Sequence, residues 1–240
     1  MTLEIGYNDS FEVRREHYFS KCKDNFSILY LSDLHLNRFS KNMITKIEKT
    51  IAELNPTIVL LGGDYVDTKH GLIYLNYLLA ALSFRKNVFA IAGNHDYFFG
   101  LNKIKTLMLN NNVIWIENDS FNFKINETSL QIDGIKVNSK KSIADFSILL
   151  LHKPINIRLF QKNYNIAFAG HLHGCQFVFW QSKDKLFPGF FFYKWNILKK
   201  KLNDCHYFIS KGLGDTLPIR FNCKKDVLFV EIISKQHQNI

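Results

Sequence analysis

Short apolar runs alternate with stretches of helical periodicity in the first part of the chain, and this alternation is the feature that most constrains the fold. The apolar runs 26–31, 57–61 and 88–92 are typical of buried strands. Between the first two, isoleucines at three- and four-residue steps predict a helix that ends before Pro56, and a second helix is predicted over 72–82. The β-α-β-α-β order predicts neighbouring buried strands, covered by helices and joined by right-handed crossovers where they are parallel.

The remainder of the chain predicts a second sheet. After a helix expected over 101–109, the segment 112–138 breaks into short runs separated by Asn-Asp, Asn-Glu and Asp-Gly, which are typical of turns. Buried strands are predicted again at 147–151 and 166–169, and one more at 226–233. We therefore expect a two-sheet β-sandwich with βαβαβ units flanked by helices.

The composition is that of a folded α/β protein. With 240 residues, 47% of them apolar and 22% charged, the chain can bury a sizeable core. Because no linker, internal repeat or shift in composition marks a boundary, we expect residues 1–240 to form a single domain.

The net charge indicates which classes of binding partner to expect, and the cysteine content indicates the cellular compartment. The formal net charge of +10 favours anionic partners such as phosphoesters, nucleic acid or an acidic lipid leaflet. Four scattered cysteines without a Cys-x-x-Cys pair fit a reducing compartment. The first residues lack the pattern of a signal peptide, and no apolar run approaches the roughly 20 residues that span a bilayer. We expect a cytoplasmic protein, soluble or peripheral at the inner face of the membrane.

Polar side chains with catalytic or metal-binding chemistry follow five of the predicted strands. Ligands bind beyond the carboxyl ends of the strands in open α/β sheets, so these residues are expected to form one site. They are Asp33 and His35 after the first of the five strands, Asp64 after the second, Asn94, His95 and Asp96 after the third, His152 after the fourth, and His171 and His173 after the fifth.

The mixed set of oxygen and nitrogen donors favours a transition-metal site. Carboxylate, imidazole and amide oxygen suit Mn, Fe, Zn or Co, whereas the thiolates of a structural zinc site are missing. There are more donors than one ion needs. The set fits two ions about 3.5–4 Å apart, where a bridging hydroxide attacks phosphorus and both ions stabilise charge on oxygen.

Five short blocks of these residues, in this order, resemble the calcineurin-like metallophosphoesterase superfamily. All the blocks of that superfamily are present, and they span much of the chain. They are Asp33-Leu34-His35, Gly63-Asp64-Tyr65-Val66-Asp67, Gly93-Asn94-His95-Asp96, His152, and Gly170-His171-Leu172-His173.

The resemblance implies a role for each residue. His95 would stabilise charge on the phosphate or protonate the leaving group, and Asp96 would orient its imidazole. Apart from the resemblance, we expect Asp67 to cap or brace its loop and not to bind metal. Two divalent ions are implied, Mn first, with Fe, Zn or Co as alternatives. One ion would be bound by Asp33, His35, Asp64 and His173, and the other by Asp64, Asn94, His152 and His171.

A stretch near the C-terminus resembles one bacterial branch of this superfamily, the YkuE/YaeI-like phosphodiesterases. Ser210-Lys211-Gly212-Leu213-Gly214 and the following residues through Cys223, Arg220 among them, carry this likeness. Two departures are Cys175, where that branch has Gly, and Lys224-Lys225-Asp226, where it has Pro-Pro-Glu. Neither touches an implied ligand, so they bear on substrate choice and not on metal binding.

Residues 187–202 form an aromatic and basic segment, which we call the lip. Five lysines and no acidic residue are present in the stretch from Lys185 to Asn203, counted with Lys185 itself. Two interpretations stay open: a core strand with a solvated basic turn, and a peripheral contact with an anionic membrane or a lipid-linked substrate. Single-stranded nucleic acid ranks lower, because no nucleic-acid-binding module accompanies the segment.

The resemblance and the donor set together predict a dinuclear-metal phosphohydrolase that cleaves a phosphodiester or pyrophosphate bond. One alternative is UDP-2,3-diacylglucosamine pyrophosphatase of lipid A synthesis, a reaction carried out by relatives in the superfamily. The other is a partner-binding scaffold on the same fold, although scaffolds tend to lose ligands and this chain keeps all of them.

Overall fold

Sixteen strands and five α-helices are present in the computed structural model, which describes residues 1–6, 9–135 and 142–235. The helices are α1 (Lys41–Leu54), α2 (Lys69–Leu82), α3 (Asn94–Phe99), α4 (Leu101–Asn110) and α5 (Gly189–Phe192). The strands are β1 (Leu3–Ile5), β2 (Phe11–Ser20), β3 (Phe26–Leu31), β4 (Ile58–Leu61), β5 (Val88–Ala90), β6 (Ile114–Trp115), β7 (Ser120–Ile125), β8 (Thr128–Gly134), β9 (Phe146–Leu150), β10 (Ile166–Ala169), β11 (Val178–Ser182), β12 (Lys185–Pro188), β13 (Lys199–Leu202), β14 (Cys205–Ile209), β15 (Ile219–Phe221) and β16 (Lys225–Ser234).

Most strands belong to two six-stranded sheets. The first has the order β2-β16-β3-β4-β5-β6, and the second has the order β13-β14-β10-β9-β8-β7. Strands β3 to β6 are parallel, and so are β8, β9, β10 and β14, while β7 and β13 add antiparallel edges to the second sheet. Strands β1 and β15, and β11 and β12, form two small antiparallel ribbons. The predicted α/β sandwich is confirmed.

The two large sheets pack face to face through side chains from both. The Tyr30 ring on β3 lies 5.2 Å from the Phe168 ring on β10, and Phe168 lies 5.9 Å from Phe208 on β14. Burying a side chain of this kind stabilises a fold by about 1.5–3 kcal/mol. The layer includes Ile28, Tyr30, Ile58, Leu60, Phe89 and Leu228 from the first sheet, and Ile132, Phe146, Ile148, Leu150, Phe168 and Phe208 from the second.

The outer faces of the two sheets are covered differently. Helices α1, α2 and α4 cover the first sheet, as the helical periodicity predicts. On the second sheet, the outer face packs against Phe160 and Tyr164, which follow a short 3-10 turn at Ile157–Leu159. These two large aromatic side chains cover part of that face. Within the described part of the chain, no helix combines the length and the apolar character needed to cross a bilayer.

Sequence periodicity located β3, β4, β5, β9, β10 and β16 but neither the interior strand β14 nor the edge strand β2. The sequence of β2 mixes Arg, Glu and His with aromatic residues, and the strand pairs with a single neighbour, β16. An edge strand with charged side chains facing solvent lacks the continuous apolar run that marks a buried strand. Helix α1 follows Ser40 as predicted, but the Ser40 hydroxyl accepts the Asn37 N–H at 2.9 Å and not a helix N–H.

Phe168→Ala should destabilise the fold by about 3–5 kcal/mol, because the ring is fully buried between the sheets and its removal leaves a cavity. Urea unfolding followed by circular dichroism measures this change. Phe84→Ala is the matched control, since Phe84 is 93% exposed and its loss should cost little. Equal effects of the two substitutions would contradict the packing described here.

Candidate metal centre

The polar residues predicted to share a site come together between the carboxyl ends of five central strands. Asp33 and His35 follow β3, Asp64 follows β4, and Asn94 to Asp96 follow β5, all in the first sheet. His152 follows β9, and His171 and His173 follow β10, in the second sheet. The sandwich is therefore what places donors from both sheets opposite one another.

Five of these residues have left-handed backbone conformations, which are uncommon for residues other than glycine. Such conformations cost on the order of 1–3 kcal/mol each and persist where the surroundings hold them, often at functional sites. Here the loops after β3 and β4 hold each other: the Asp33 N–H donates to the Gly63 carbonyl, and the His35 N–H donates to the Asp64 carbonyl, each at 3.0 Å. The φ values are 54° at Asp33, 44° at His35, 56° at Asp64, 71° at His171 and 50° at His173.

A first group of donors consists of Asp33, His35 and His173, all buried. The Nε2 atoms of His35 and His173 are 3.2 Å apart, and His173 Nε2 is 3.7 Å from Asp33 Oδ1. Asp64 Oδ2 lies 3.8 Å from His35 Nε2, at the edge of this group.

A second group consists of Asp64, His152 and His171, with Asn94 beside them. His152 Nε2 is at its centre: it lies 3.2 Å from Asp64 Oδ2, 3.0 Å from Asn94 Oδ1 and 3.2 Å from His171 Nδ1. Asp64 thus contacts both groups through one carboxylate oxygen.

Backbone carbonyls and a carboxylate fix the imidazole rings. His152 Nδ1 is 2.8 Å from the Gly62 carbonyl, and His173 Nδ1 is 3.2 Å from the Gly214 carbonyl. A carbonyl can only accept, so His152 Nδ1 donates its proton to the Gly62 carbonyl, and in the neutral ring Nε2 has a free lone pair. His173 Nδ1 faces both the Gly214 carbonyl and the Arg220 guanidinium, whose Nη2 lies 3.4 Å away. His35 Nδ1 similarly faces Asp67 Oδ1 at 2.8 Å. All three rings direct Nε2 toward the two groups of donors, the orientation found in metal-binding histidines.

Burial and neighbouring charges shift the pKa values of the donors, and the shifts differ between the two groups. Burial would raise the pKa of Asp64, but its hydrogen bond with His152 and the charge of His35 hold it at about 2. Burial also lowers the pKa of His152, yet the hydrogen bond to Asp64 and the charge of Asp33 outweigh that and raise it to about 9. Burial, with the charges of His35 and Arg220, lowers the pKa of His173 to about 4. A positive charge beside Asp64 is thus strongly favoured, and His173 is held neutral.

Close approach of two loops sets the position of the Asp64 carboxylate. A Cβ atom on Gly93 would lie 2.2 Å from Asp64 Oδ1, so only glycine fits there. The His95 N–H donates to the same oxygen at 2.7 Å. The Gly93-Asn94-His95 turn therefore holds one oxygen of Asp64 and leaves the other for the donor groups.

Our prediction that Asp96 orients the His95 imidazole is wrong. The Asp96 carboxylate accepts the backbone N–H groups of Gly93, Asp64 and Tyr65 at 2.7–2.9 Å. Asp96 is the third residue of α3, and a side chain at that position reaches back to the start of its own helix. Burial raises its pKa to about 6, against the backbone N–H groups that lower it. Asp96 is thus a brace between two loops.

Asp67 is the carboxylate that faces the His95 ring. Its Oδ1 lies 3.5 Å from His95 Nδ1 and 2.8 Å from His35 Nδ1, so one oxygen serves both imidazoles. The sequence places Asp67 in the same short block as Asp64, which was the available signal. Its two partners come from separate loops, and only the folded chain brings them to it.

Arg220 helps to position His173 of the first group by contacting the same backbone carbonyl, a role that the sequence did not predict. Its Nη2 donates to the Gly214 carbonyl at 2.7 Å, the acceptor of His173 Nδ1. Its charge is balanced by Asp215, which contacts Arg220 Nε at 2.6 Å and Lys225 Nζ at 2.7 Å. All these side chains are buried. The likeness of the segment around Arg220 to one bacterial branch was the signal for its importance.

The chemistry of the two groups fits divalent cations. In each, carboxylate oxygens and imidazole lone pairs converge at 3.0–3.8 Å, a distance range where acceptors repel unless a proton or a cation lies between them. The donors are oxygen and nitrogen, the set expected for Mn, Fe, Zn or Co. Buried donors whose imidazole rings are fixed by hydrogen-bond partners on the far side of the ring can hold metal ions.

Comparisons with known proteins agree with this geometry. The metallophosphoesterase YkoQ of Bacillus subtilis is 27% identical over 96% of this chain and 89% of its own length. The phosphodiesterase YaeI of Escherichia coli is 27% identical over 93% of this chain and 88% of its own length.

Solved structures show the same fold. A 5′-nucleotidase precursor from Thermus thermophilus superposes with a TM-score of 0.52 at 10% identity, over 89% of this chain and 55% of its own. The NAD nucleotidase of Haemophilus influenzae superposes with a TM-score of 0.50 at 13% identity, over 80% and 46%. The chain spans about half the length of these two nucleotidases.

The family assignment rests on the segment that carries the donors. The model of the calcineurin-like phosphoesterase family matches residues 26–175, which begin at β3 and end just after His173. All the donors described above lie within it. The chain therefore belongs to the calcineurin-like phosphoesterase family of metal-dependent phosphoesterases.

Proposed function

We propose that this chain hydrolyses a phosphodiester or pyrophosphate bond with two divalent metal ions, Mn being the first candidate. The observation that carries the proposal is the convergence of buried acceptor atoms into two groups that share Asp64. One ion would be held by Asp33, His35, Asp64 and His173, and the other by Asp64, Asn94, His152 and His171.

The two proposed ions need donors from both large sheets. We therefore propose that residues 1–240 work as one domain, since neither sheet alone supplies a complete set. When bound, two divalent ions polarise phosphoryl oxygens and make water nucleophilic at neutral pH. The chain's own part is to fix the donors: Asp67, Gly62 and Gly214 hold the three Nδ1 atoms.

His95 is the proposed proton donor to the leaving group. It is outside the buried part of the site, with 44% of its side chain exposed. Its Nδ1 faces Asp67, so Nε2 is the atom left to give a proton. An open pocket of about 410 Å³ lies beside it and is lined by His35, Asp67, Phe98 and Thr216, among others. We propose that the leaving group occupies this pocket.

A lipid-linked pyrophosphate, such as UDP-2,3-diacylglucosamine, is the second candidate substrate. It is favoured by one observation: Phe191 and Phe192 of the lip are exposed, and the lip begins shortly after His173 in the chain. Mn-loaded protein should be assayed with nucleotide diesters, glycerophosphodiesters and UDP-diacylglucosamine. Hydrolysis of the first two classes at higher kcat/KM favours a water-soluble diester, and the reverse order favours the lipid-linked substrate. No hydrolysis of any would favour a scaffold without activity.

Asp64→Ala should abolish hydrolysis and lower the metal content below two ions per chain, because the shared carboxylate is removed. Elemental analysis of protein dialysed against Mn measures the content. Asp184→Ala, a half-buried carboxylate outside the site, is the control and should retain both ions. Two ions per chain in Asp64→Ala would rule out the bridging role.

His95→Asn should leave the metal content near that of the unmodified chain while lowering kcat by about 10²–10⁴-fold, the usual scale for a general acid. The test is needed because His95 also lies near His35 and Asp64, within reach of an ion. Metal loss in proportion to activity would make His95 a ligand and overturn its proposed role.

Asp67→Ala should weaken metal binding by about 10–100-fold, since carboxylates behind ligand histidines contribute on this scale. Calorimetric titration with Mn measures the affinity. Asp67→Asn keeps an oxygen for His35 Nδ1 and should lose less. If Asp67→Ala binds Mn as tightly as the unmodified chain, Asp67 does not position His35.

A further inference from the structure

The lip, residues 187–202, has an exposed part and a packed part. We call the exposed part, around Phe191 and Phe192, its tip, and the packed part, around Phe190 and Trp195, its base. Phe191 and Phe192 are 60% and 78% exposed, which excludes the core interpretation for them. Phe190 and Trp195 are partly buried and pack against the outer face of the second sheet. The base is therefore anchored while the tip is presented to solvent.

Strands β11 and β12 extend the apolar surface of the tip. Trp180 on β11 stacks on Phe187 of β12, with ring centroids 4.9 Å apart and an angle of 4° between the planes. Phe191 packs edge-on against both, at 6.1 Å and 5.0 Å. Phe179 on β11 is also exposed. The rings hold one another, so a preformed apolar projection stands on the protein surface.

A basic groove of about 540 Å³ lies beside this projection. Among the described residues that line it, Asp184 is the one acidic side chain. Lys199, also in the groove, pairs with Glu16 at 2.8 Å. The other cations lining the groove are Arg158, Lys183, Lys185, Lys194, Lys200 and Lys201. A surface of this kind is complementary to a layer of anionic groups.

Several aromatic rings beside the groove already have a face occupied, which leaves fewer of them open for stacking on nucleobases. Base stacking needs open ring faces. Here Trp180 and Phe187 cover each other, Lys185 and Lys194 lie over Phe190 at 4.7 Å and 5.3 Å, and Lys200 lies over the Trp195 ring at 5.3 Å. Exposed rings at the tip with cations behind them are typical of peripheral membrane contacts.

We propose that residues 178–202, the docking surface, bind an anionic phospholipid bilayer. Phe191 and Phe192 enter the interface, and the groove cations pair with lipid phosphates. Asn196 fastens this surface to the metal centre: its Nδ2 donates to the Leu186 carbonyl at 3.0 Å and lies 3.5 Å from the Gly174 carbonyl, next to His173. The proposed docking is independent of which bond the metal centre cleaves.

Sedimentation with phosphatidylglycerol vesicles, at low ionic strength and with EDTA present, tests the proposal without involving hydrolysis. Phe192→Ser should weaken vesicle binding by about tenfold, whereas Phe84→Ser, at a phenylalanine elsewhere that is even more exposed, should not. Changing Lys183, Lys194 and Lys200 together to Gln should weaken it on the order of 100-fold. The same change at Lys41, Lys86 and Lys124 removes equal charge from other surfaces and should have a small effect.

Three results would overturn the proposal. The first is absence of binding to phosphatidylglycerol vesicles, or equal binding to phosphatidylcholine. The second is equal loss from the two lysine triples, which would indicate net charge and not this surface. The third is tight binding of a single-stranded oligonucleotide that depends on the same three lysines while vesicles are ignored. Hydrolysis of a soluble diester, measured separately, should be unchanged in all these variants, so failure here is distinct from failure of the proposed reaction.

Discussion

The buried carboxylate of Asp64 is the group on which the arrangement of the site depends. One oxygen is fixed by the His95 N–H, and the other faces His152 and His35 from opposite groups of donors. A buried carboxylate is costly unless its charge is compensated. The neighbouring imidazoles direct lone pairs toward the same space, so a cation satisfies all of them together. Five of the residues at the site have left-handed backbone, a strain that often accompanies functional sites.

The sandwich makes this arrangement possible. The loops after β3 and β4 hold each other through paired backbone hydrogen bonds, and Asp96 adds three contacts that join the loops after β4 and β5. The second sheet supplies His152, His171 and His173 from strands whose inner face packs on the first sheet. Stability of the inter-sheet core and geometry of the donors are therefore linked, because movement of one sheet separates the two halves of the site.

Hydrophobic periodicity and short motifs predicted the strands that lead into the site and the polar residues that follow them. The strands leading into the site were found because each is a buried apolar run, and the polar residues after them had to reach a common edge. Contacts between distant loops could not be found this way. The sequence places Asp96 beside His95, yet the helix directs that side chain away, and Asp67 faces the ring instead. Strand β2 was missed because an edge strand needs no apolar run.

The lip shows the same limit of sequence patterns. A run of aromatic residues and lysines is equally compatible with core and surface, and the structure divides it, with Phe190 and Trp195 packed and Phe191 and Phe192 exposed. The division follows from α5 and the β11–β12 hairpin, which fix which rings face the second sheet. Sequence spacing alone carries no information on that choice.

The most direct test of the central claim is a crystal structure of Mn-soaked protein with anomalous scattering measured at the manganese edge. Two peaks are expected, one among Asp33, His35 and His173 and the other among Asn94, His152 and His171, with the Asp64 carboxylate between them. A single peak, or peaks away from Asp64, would contradict the claim.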